Sequence, residues 1–366
     1  MPLVADVCSY LDRFAPPGHA ADWDNVGLLV GDSSKPADRI MTCLTITPDV
    51  VSEAVDERVE MFVTHHPVLF RGAKRLTSTS SEGRLLLPLI QANIAVYSPH
   101  TAFDNCRGGI NDGLCSRLGL TNVTPLRKRD GKREFKLVVF VPTAELSKVS
   151  DAMFAAGAGH IGPYEQCSFR LPGVGTFLGT EGTNPTLGER GRREEVSEFR
   201  LEVVVPEGKV DVVISAMRSA HSYEEPAFDV YPLRPGPSGG DGRIGDLPEP
   251  VALGEIVQRM KVQLRSATMQ FVGDPMKPVT RIGVACGAAG EFLKDALKAG
   301  ADAFLTGEMR FHDLLTAEAE GVGVILPGHY ASERPGVEDL AGRLNSAFPS
   351  LTVWPSRREH DPLQMV

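Results

Sequence analysis

The run Met61-Phe62-Val63-Thr64-His65-His66-Pro67 sets the first constraint on this chain. Its apolar part reads as a short buried strand. Two imidazoles then meet Pro67, which bends the chain and cannot donate a further strand hydrogen bond. Neighbouring side chains on a straight strand point to opposite faces, so both histidines reach one site only if the chain turns there. The plainer reading is one core histidine and one exposed one. Two more segments, each with an imidazole and a carboxylate four residues later, favour a site.

The elements around this run repeat a β-α-β order. Trp23 to Gly31 is a turn leading into a strand, and Ile40 to Ile46 is a second strand. Pro48 opens a helix through about Arg58, at the first-turn position proline favours. A leucine-rich helix follows the polar loop Thr77 to Glu82, and Ile94 to Ser98 is another strand, ending at Pro99-His100. This order predicts a parallel sheet, whose ligands gather outside the carboxyl ends of the strands. From Leu253 the pattern resumes. Strands are expected at 281–286, 303–306, 323–326 and 351–354, with helices at 253–264, up to Ala299, and at 337–348. The strand at 323–326 runs into Pro327-Gly328-His329.

Between these stretches the order changes. Phe135 to Val141 reads as a strand partnered by Glu198 to Val205, with helices at 143–155 and 209–220 and a last strand at 227–231. The order β-α-β-β-α-β predicts a ferredoxin-like unit. Pro235 to Gly242 reads as a turn-rich linker. The expected organisation is thus an α/β fold with a discontinuous two-part metal-binding core, 1–130 and 236–366, and an inserted α+β domain at 131–235.

Composition narrows the function. The 366 residues carry 47 acidic against 38 basic side chains, a net charge of −9, which disfavours a broad grip on nucleic acid or anionic membrane. Arg127-Lys128-Arg129 reads as a solvated basic turn. None of the six cysteines forms a C-x-x-C pair, and no apolar run reaches membrane-spanning length. A reduced, cytoplasmic protein is expected.

His329 and Glu333 are four apart, as are His100 and Asp104, so on a helix each pair shares one face. An isolated pair of this kind is commonly structural. Three clusters that all follow apolar strands are harder to dismiss. Histidine and carboxylate ligands without thiolate suit zinc, manganese, iron or cobalt. Such ligands could hold two divalent ions about 3.5–4 Å apart, able to polarise a substrate and generate hydroxide near neutral pH. Glu308 and His312, also four apart, could move protons or contact substrate, or be a helix-start carboxylate and a surface histidine. The run Gly283 to Gly290 lacks a complete phosphate-binding glycine pattern and reads as tight helix–strand packing.

Taken together, Trp23-Asp24-Asn25-Val26-Gly27-Leu28, Thr64-His65-His66-Pro67, Ser98-Pro99-His100-Thr101-Ala102-Phe103-Asp104, Ala301 to Glu308 and Gly328-His329-Tyr330-Ala331-Ser332-Glu333 resemble the NGG-interacting-factor-like dinuclear metal-centre family. Its members are often called GTP cyclohydrolase 1 type 2 homologs. The resemblance implies metal ligation by His65, His66, Asp104, His329 and Glu333, with Glu333 bridging. His100, Glu308 and His312 are weaker candidates, for catalysis. Thr45 stands where the family often has an aspartate, which puts the support of the site in question. His160 to Phe169 and His221-Ser222-Tyr223-Glu224-Glu225-Pro226 are similar to motifs of an inserted domain of the CutA and PII type. The resemblance further implies a homohexamer with its metal sites facing an internal cavity, and a nucleotide substrate: hydroxide attack at C8 of the guanine of GTP. A phosphoesterase or damaged-nucleotide hydrolase using the same metals is one alternative, and a non-catalytic regulatory or metal-handling scaffold is another.

Overall fold

The computed structural model describes residues 1–129, 133–162, 164–234 and 239–364. The expected domain boundaries near 131 and 235, and the linker residues 235–238, lie outside these. The chain forms two compact units, Met1–Arg129 with Gly239–Val366, and Asp130–Ser238.

The first unit contains two main sheets. In one, the strands run in the order Gly27–Val30, Ala95–Ser98, Met61–Thr64, Arg39–Cys43 and Thr352–Pro355. All neighbours are parallel except Gly27–Val30, which is antiparallel to Ala95–Ser98. The register sets Cys43 beside Thr64 and Val63 beside Tyr97, so neighbouring strands finish almost level at one edge. In the second sheet the order is Gln270–Val272, Gly323–Leu326, Ala303–Thr306, Pro278–Ala285, Arg243–Ala252 and Thr121–Thr124. Its Gly323–Leu326, Ala303–Thr306 and Pro278–Ala285 strands are parallel, and Ala285 lies beside Thr306.

Both sheets are packed on two faces, which is why their central strands are continuous apolar runs. One core joins Ile40, Met61, Val63 and Tyr97 of the first sheet to Ile282, Val284, Leu305 and Ile325 of the second, through helical residues such as Leu114, Met260 and Leu340. Met41, Phe62 and Val96 pack on the other face of the first sheet with Val50 and Leu89. Phe304 and Val324 do the same in the second with Leu293, Ala296 and Ala317.

Several segments differ from the sequence expectation. The last helix runs over His329–Ala347, with Pro335 inside it, and does not begin at Val337. A mid-helix proline costs about 3 kcal/mol. Burial of Val337, Leu340, Ala341 and Leu344 along the same helix offsets that cost. The supposed linker leads directly into a strand, Arg243–Ala252, which Pro248 and Pro250 obscure in the sequence. These prolines fall where its ladder with Pro278–Ala285 is interrupted, between Asp246 and Val251, so no ladder hydrogen bond is demanded of them. Arg127 and Arg129 are paired with Asp295 and Asp241, so the basic turn is not simply solvated. No helix among the described residues is long and apolar enough to cross a membrane.

The second unit has strands Glu134–Pro142, Ser168–Leu178, Arg193–Pro206 and Phe228–Pro232 and helices Leu146–Ala155 and Val210–Ala220. The sheet order is Phe228–Pro232, Glu134–Pro142, Arg193–Pro206, Ser168–Leu178, with every neighbour antiparallel, as in a ferredoxin-like fold. Leu137, Val139 and Val141 alternate along one strand and Leu201, Val203 and Val205 along its partner. They meet Val149, Met153, Val213 and Met217 of the helices.

In the first unit, the tail after Thr352–Pro355 is fixed by a buried carboxylate. Glu53 is 3% exposed and accepts hydrogen bonds from Ser356 Oγ at 2.6 Å and the backbone N–H of Arg357 and Arg358 at 3.0 Å. Exchange of Glu53 for alanine strands these donors and is expected to cost about 2–4 kcal/mol, read as a lower denaturation midpoint.

Candidate metal centre

The level strand ends of both sheets deliver side chains to one cluster. Met61–Thr64 stops before His65, and the backbone N–H groups of His65 and His66 are held by the carbonyls of Cys43 and Leu44 at 2.9 and 2.8 Å. The chain bends here, and the two imidazole rings lie 5.1 Å apart. Helix His100–Asn105 follows Ala95–Ser98 directly and carries Asp104. His329 and Glu333 occupy the first turns of the last helix.

Glu333, 4% exposed, is at the centre. Its Oε2 is 3.1 Å from His66 Nε2 and 3.1 Å from His329 Nε2. Its Oε1 faces His65 Nε2 at 3.8 Å, and Asp104 Oδ1 lies 3.4 Å from that same nitrogen. Two donor trios therefore share one carboxylate: His65, Asp104 and Glu333, and His66, His329 and Glu333. A third grouping, His65, His66 and His100, adjoins them.

His65 carries the test of fit. It is 2% exposed, and neither ring nitrogen has a hydrogen-bond partner among the described residues. A buried polar group without a partner costs about 1–3 kcal/mol. A divalent cation among His65, Asp104 and Glu333 would satisfy the Nε2 of the imidazole and neutralise both acids. Nitrogen and oxygen donors of this kind fit zinc, manganese, iron or cobalt.

The protonation states are consistent with a cation site. Burial alone would raise Glu333, but its contacts with His329, His65 and His66 hold it well below the usual carboxylate range. Burial, reinforced by the Glu333 charge, raises Asp104 despite the nearby His65. Burial opposes protonation of His65, yet Asp104 and Glu333 outweigh it and raise its pKa. His66 is lowered, chiefly by burial. His329 is raised to about 9, first by its hydrogen bond to Glu333 and further by Glu308.

Each of three imidazoles has an outer partner at 2.7 Å on Nδ1: Thr45 Oγ1 for His66, Glu308 Oε1 for His329 and Asp24 Oδ1 for His100. Such partners fix ring orientation, and in His66 and His329 they turn Nε2 toward Glu333. Thr45 thus stands on the outer nitrogen of His66 and contributes a neutral hydroxyl. Glu308 reaches the cluster through His329. His312 does not reach it: it is exposed at the start of helix Phe311–Ala319 and belongs to none of the donor groupings. The glycine-rich turn makes room for the centre. A Cβ on Gly287, whose φ is +65°, would lie 2.3 Å from Glu333 Oε1. Gly283 serves packing: a Cβ there would lie 3.1 Å from Phe304 and 3.2 Å from Ala296.

Sequence reasoning gave no role to Asp24 or Cys286. Asp24 also accepts from the Thr101 N–H at 3.1 Å, and its carboxyl is held down at about 2: burial opposes the charge, but the hydrogen bonds from His100 and Thr101 prevail. The Cys286 thiol donates to Asp104 Oδ1 at 3.1 Å. Neither pairing has a local spacing signal, since the partners are far apart in sequence.

Fold and cluster define an α/β protein with a histidine–carboxylate centre that could hold metal ions. The family model of Duf34/NIF3 (NGG1p interacting factor 3) matches residues 2–362, and the chain belongs to that family. The GTP cyclohydrolase 1 type 2 homolog of Halalkalibacterium halodurans is 35% identical over 341 residues, 92% of each chain. That of Bacillus subtilis is 35% identical over 360 residues, 97% of this chain and 96% of the other. Among solved structures, a Bacillus cereus protein related to NIF3 matches with a TM-score of 0.72 at 33% identity, covering 100% of this chain and 99% of the other. A Staphylococcus aureus protein matches with a TM-score of 0.78 at 26% identity and the same coverage.

The geometry makes metal binding testable in two ways. Because His329 is protonated below about pH 9, loading with zinc or manganese near neutral pH should release a proton. Calorimetry in buffers of different ionisation enthalpy measures this. The release, and the pH dependence of affinity it causes, should fade as pH rises past that pKa. Exchange of Thr45 for valine removes the partner of His66 and should weaken metal binding by about 10- to 100-fold with the fold intact, measured by competition with a chelator.

Proposed function

We propose that this chain is a metal-dependent hydrolase that holds two divalent ions and acts on a nucleotide of the GTP type. The carrying observation is Glu333, whose two oxygens face different donor trios. In this reading His65, His66, Asp104, His329 and Glu333 hold the ions, and Thr45 and Glu308 orient two of the imidazoles. Bound there, divalent ions would supply Lewis acidity and a hydroxide nucleophile near neutral pH.

The protein's own contribution to proton movement centres on His100. Its Nδ1 is fixed on the ionised Asp24, so Nε2 is the nitrogen left to take or give a proton. Its ring is 5.1 Å from His65 and 5.6 Å from His66. His100 also has a φ of +26°, a conformation uncommon for a residue with a side chain. Strain of that kind is retained where surrounding contacts over-determine it, as Asp24 does here. The relatives' names support hydrolytic opening of the guanine ring, with loss of C8 as formate. Assembly into a homohexamer belongs to the same proposal and is checked by sedimentation velocity.

Elemental analysis of the purified protein should find two ions per chain. GTP turnover, followed with separate assays for formate and phosphate, should yield metal-dependent formate. Exchange of His65 or Glu333 for alanine should remove metal and formate together while preserving the fold by circular dichroism. Two ions with phosphate as the released product would replace ring opening by phosphoester cleavage. Full metal retention in both variants would overturn the ligand assignment.

A further inference from the structure

Beside the metal cluster lies a cavity of about 540 Å³, bordered by His66, His100, Asp104 and Glu333 and also by Trp23 and Phe70. These two aromatic residues are 63% and 49% exposed. Scattered exposed apolar residues need no explanation, but adjoining aromatic rings at the mouth of a polar site do. The centroids of Trp23 and Phe70 are 5.7 Å apart at an interplanar angle of 55°, so the rings form an open wedge and not a closed stack. His100 closes the inner side, 6.0 Å from Trp23 and 6.3 Å from Phe70.

The wedge is rigidly built. Asp24, next to Trp23, holds the ring of His100 and the backbone of Thr101. Thr101 Oγ1 accepts from the Ala21 N–H at 2.9 Å, which fixes the other side of the tryptophan turn. Asn25 Nδ2 donates to the Leu69 carbonyl at 2.6 Å, which ties the turn to the segment bearing Phe70. Two exposed rings are thus preorganised on the backbone that also positions His100. Preorganisation without burial is what a ligand platform requires, because the ordering cost is met before binding.

We propose that Trp23 and Phe70 seat the flat face of a nitrogen heterocycle, such as a purine, and aim its edge at His100 and the metal cluster. This rests on the hydrolase reading for its chemistry, but the seat is a binding element in its own right. An apolar flat face matches the rings, and the polar edge of a heterocycle matches the imidazole beyond them. The cavity is of small-molecule size. Stacking is tolerant of base identity, so the wedge selects for an aromatic ring while His100 and the cluster read its edge.

The test reads binding apart from turnover, on the zinc-loaded full chain with guanosine and inorganic tripolyphosphate as probes. The chain has two tryptophans, so a Trp354→Phe background isolates Trp23 fluorescence. Guanosine should quench that emission saturably and tripolyphosphate should not. By calorimetry, Trp23→Leu should weaken guanosine binding by roughly ten- to a hundredfold with metal content unchanged, and Trp23→Phe should recover most of it. Equal quenching by tripolyphosphate, or unchanged guanosine affinity in Trp23→Leu, would overturn the proposal. So would a Trp23→Leu chain whose only change is its association state, since the wedge would then be a subunit contact. Guanosine binding on Trp23 without any hydrolysis would sustain the seat and remove the hydrolase reading. Formate release with an unchanged KM in Trp23→Leu would do the reverse.

Discussion

A carboxylate buried among imidazoles is the interaction on which the geometry of the candidate site depends. Glu333 is almost fully withdrawn from water, and an isolated ionised acid there would be strongly disfavoured. It stays ionised because His66 and His329 meet one oxygen and His65 faces the other. Those imidazoles come from two different sheets. The level ends of the parallel strands, the bend at His65-His66 and the helix beginning at His329 are therefore jointly required. A slip of one residue in either sheet would send the donors to the wrong face.

The sequence exposed this architecture unevenly. Parallel strands of the core were readable because each is a short apolar run followed by punctuation, as in Val324-Ile325-Leu326 before Pro327-Gly328. In the inserted unit, the alternation of Leu137, Val139 and Val141 made the pairing with Leu201 to Val205 legible. The strand Arg243–Ala252 was not, because Pro248 and Pro250 speak against strand locally and only the interrupted ladder accommodates them. The true start of the last helix was hidden by Pro335, whose local penalty is outweighed by tertiary burial. His65, His66, Asp104, His329 and Glu333 stood out through their positions after strands. Their outer partners did not: no periodicity connects Asp24 with His100, or Thr45 with His66. Glu308 and His312 have identical spacing to the candidate ligand pairs, yet only Glu308 touches the cluster, through His329 Nδ1. Spacing of four gives a shared face only where both residues are helical, and Glu308 lies in the loop before helix Phe311–Ala319 that carries His312.

Stability and site geometry are joined through the tail. Glu359 accepts hydrogen bonds from the N–H groups of Leu44 and Thr45 at 3.0 and 2.6 Å and also binds the Arg334 guanidinium. One side of this contact fixes the turn whose Thr45 hydroxyl meets His66. The other holds the residue immediately after Glu333. Glu53 anchors the same tail a few residues earlier. The tail thereby braces both sheets' contributions to the centre, although none of its residues belongs to a donor trio.

Thr45 and Glu308 also make the trio around Glu333 Oε2 electrostatically unequal. The threonine hydroxyl adds no charge, and burial keeps His66 in the neutral form that can donate a lone pair. Glu308 adds a carboxylate behind His329 and, with Glu333, favours the protonated ring. His66 can therefore accept an ion without losing a proton, whereas His329 must first give one up. The proton on His329 satisfies Glu333, and a divalent ion held by the trio would have to replace it in that role. The neutral Thr45 hydroxyl thus adds no charge that would favour a proton on His66, and the proton exchange expected of this trio falls on His329.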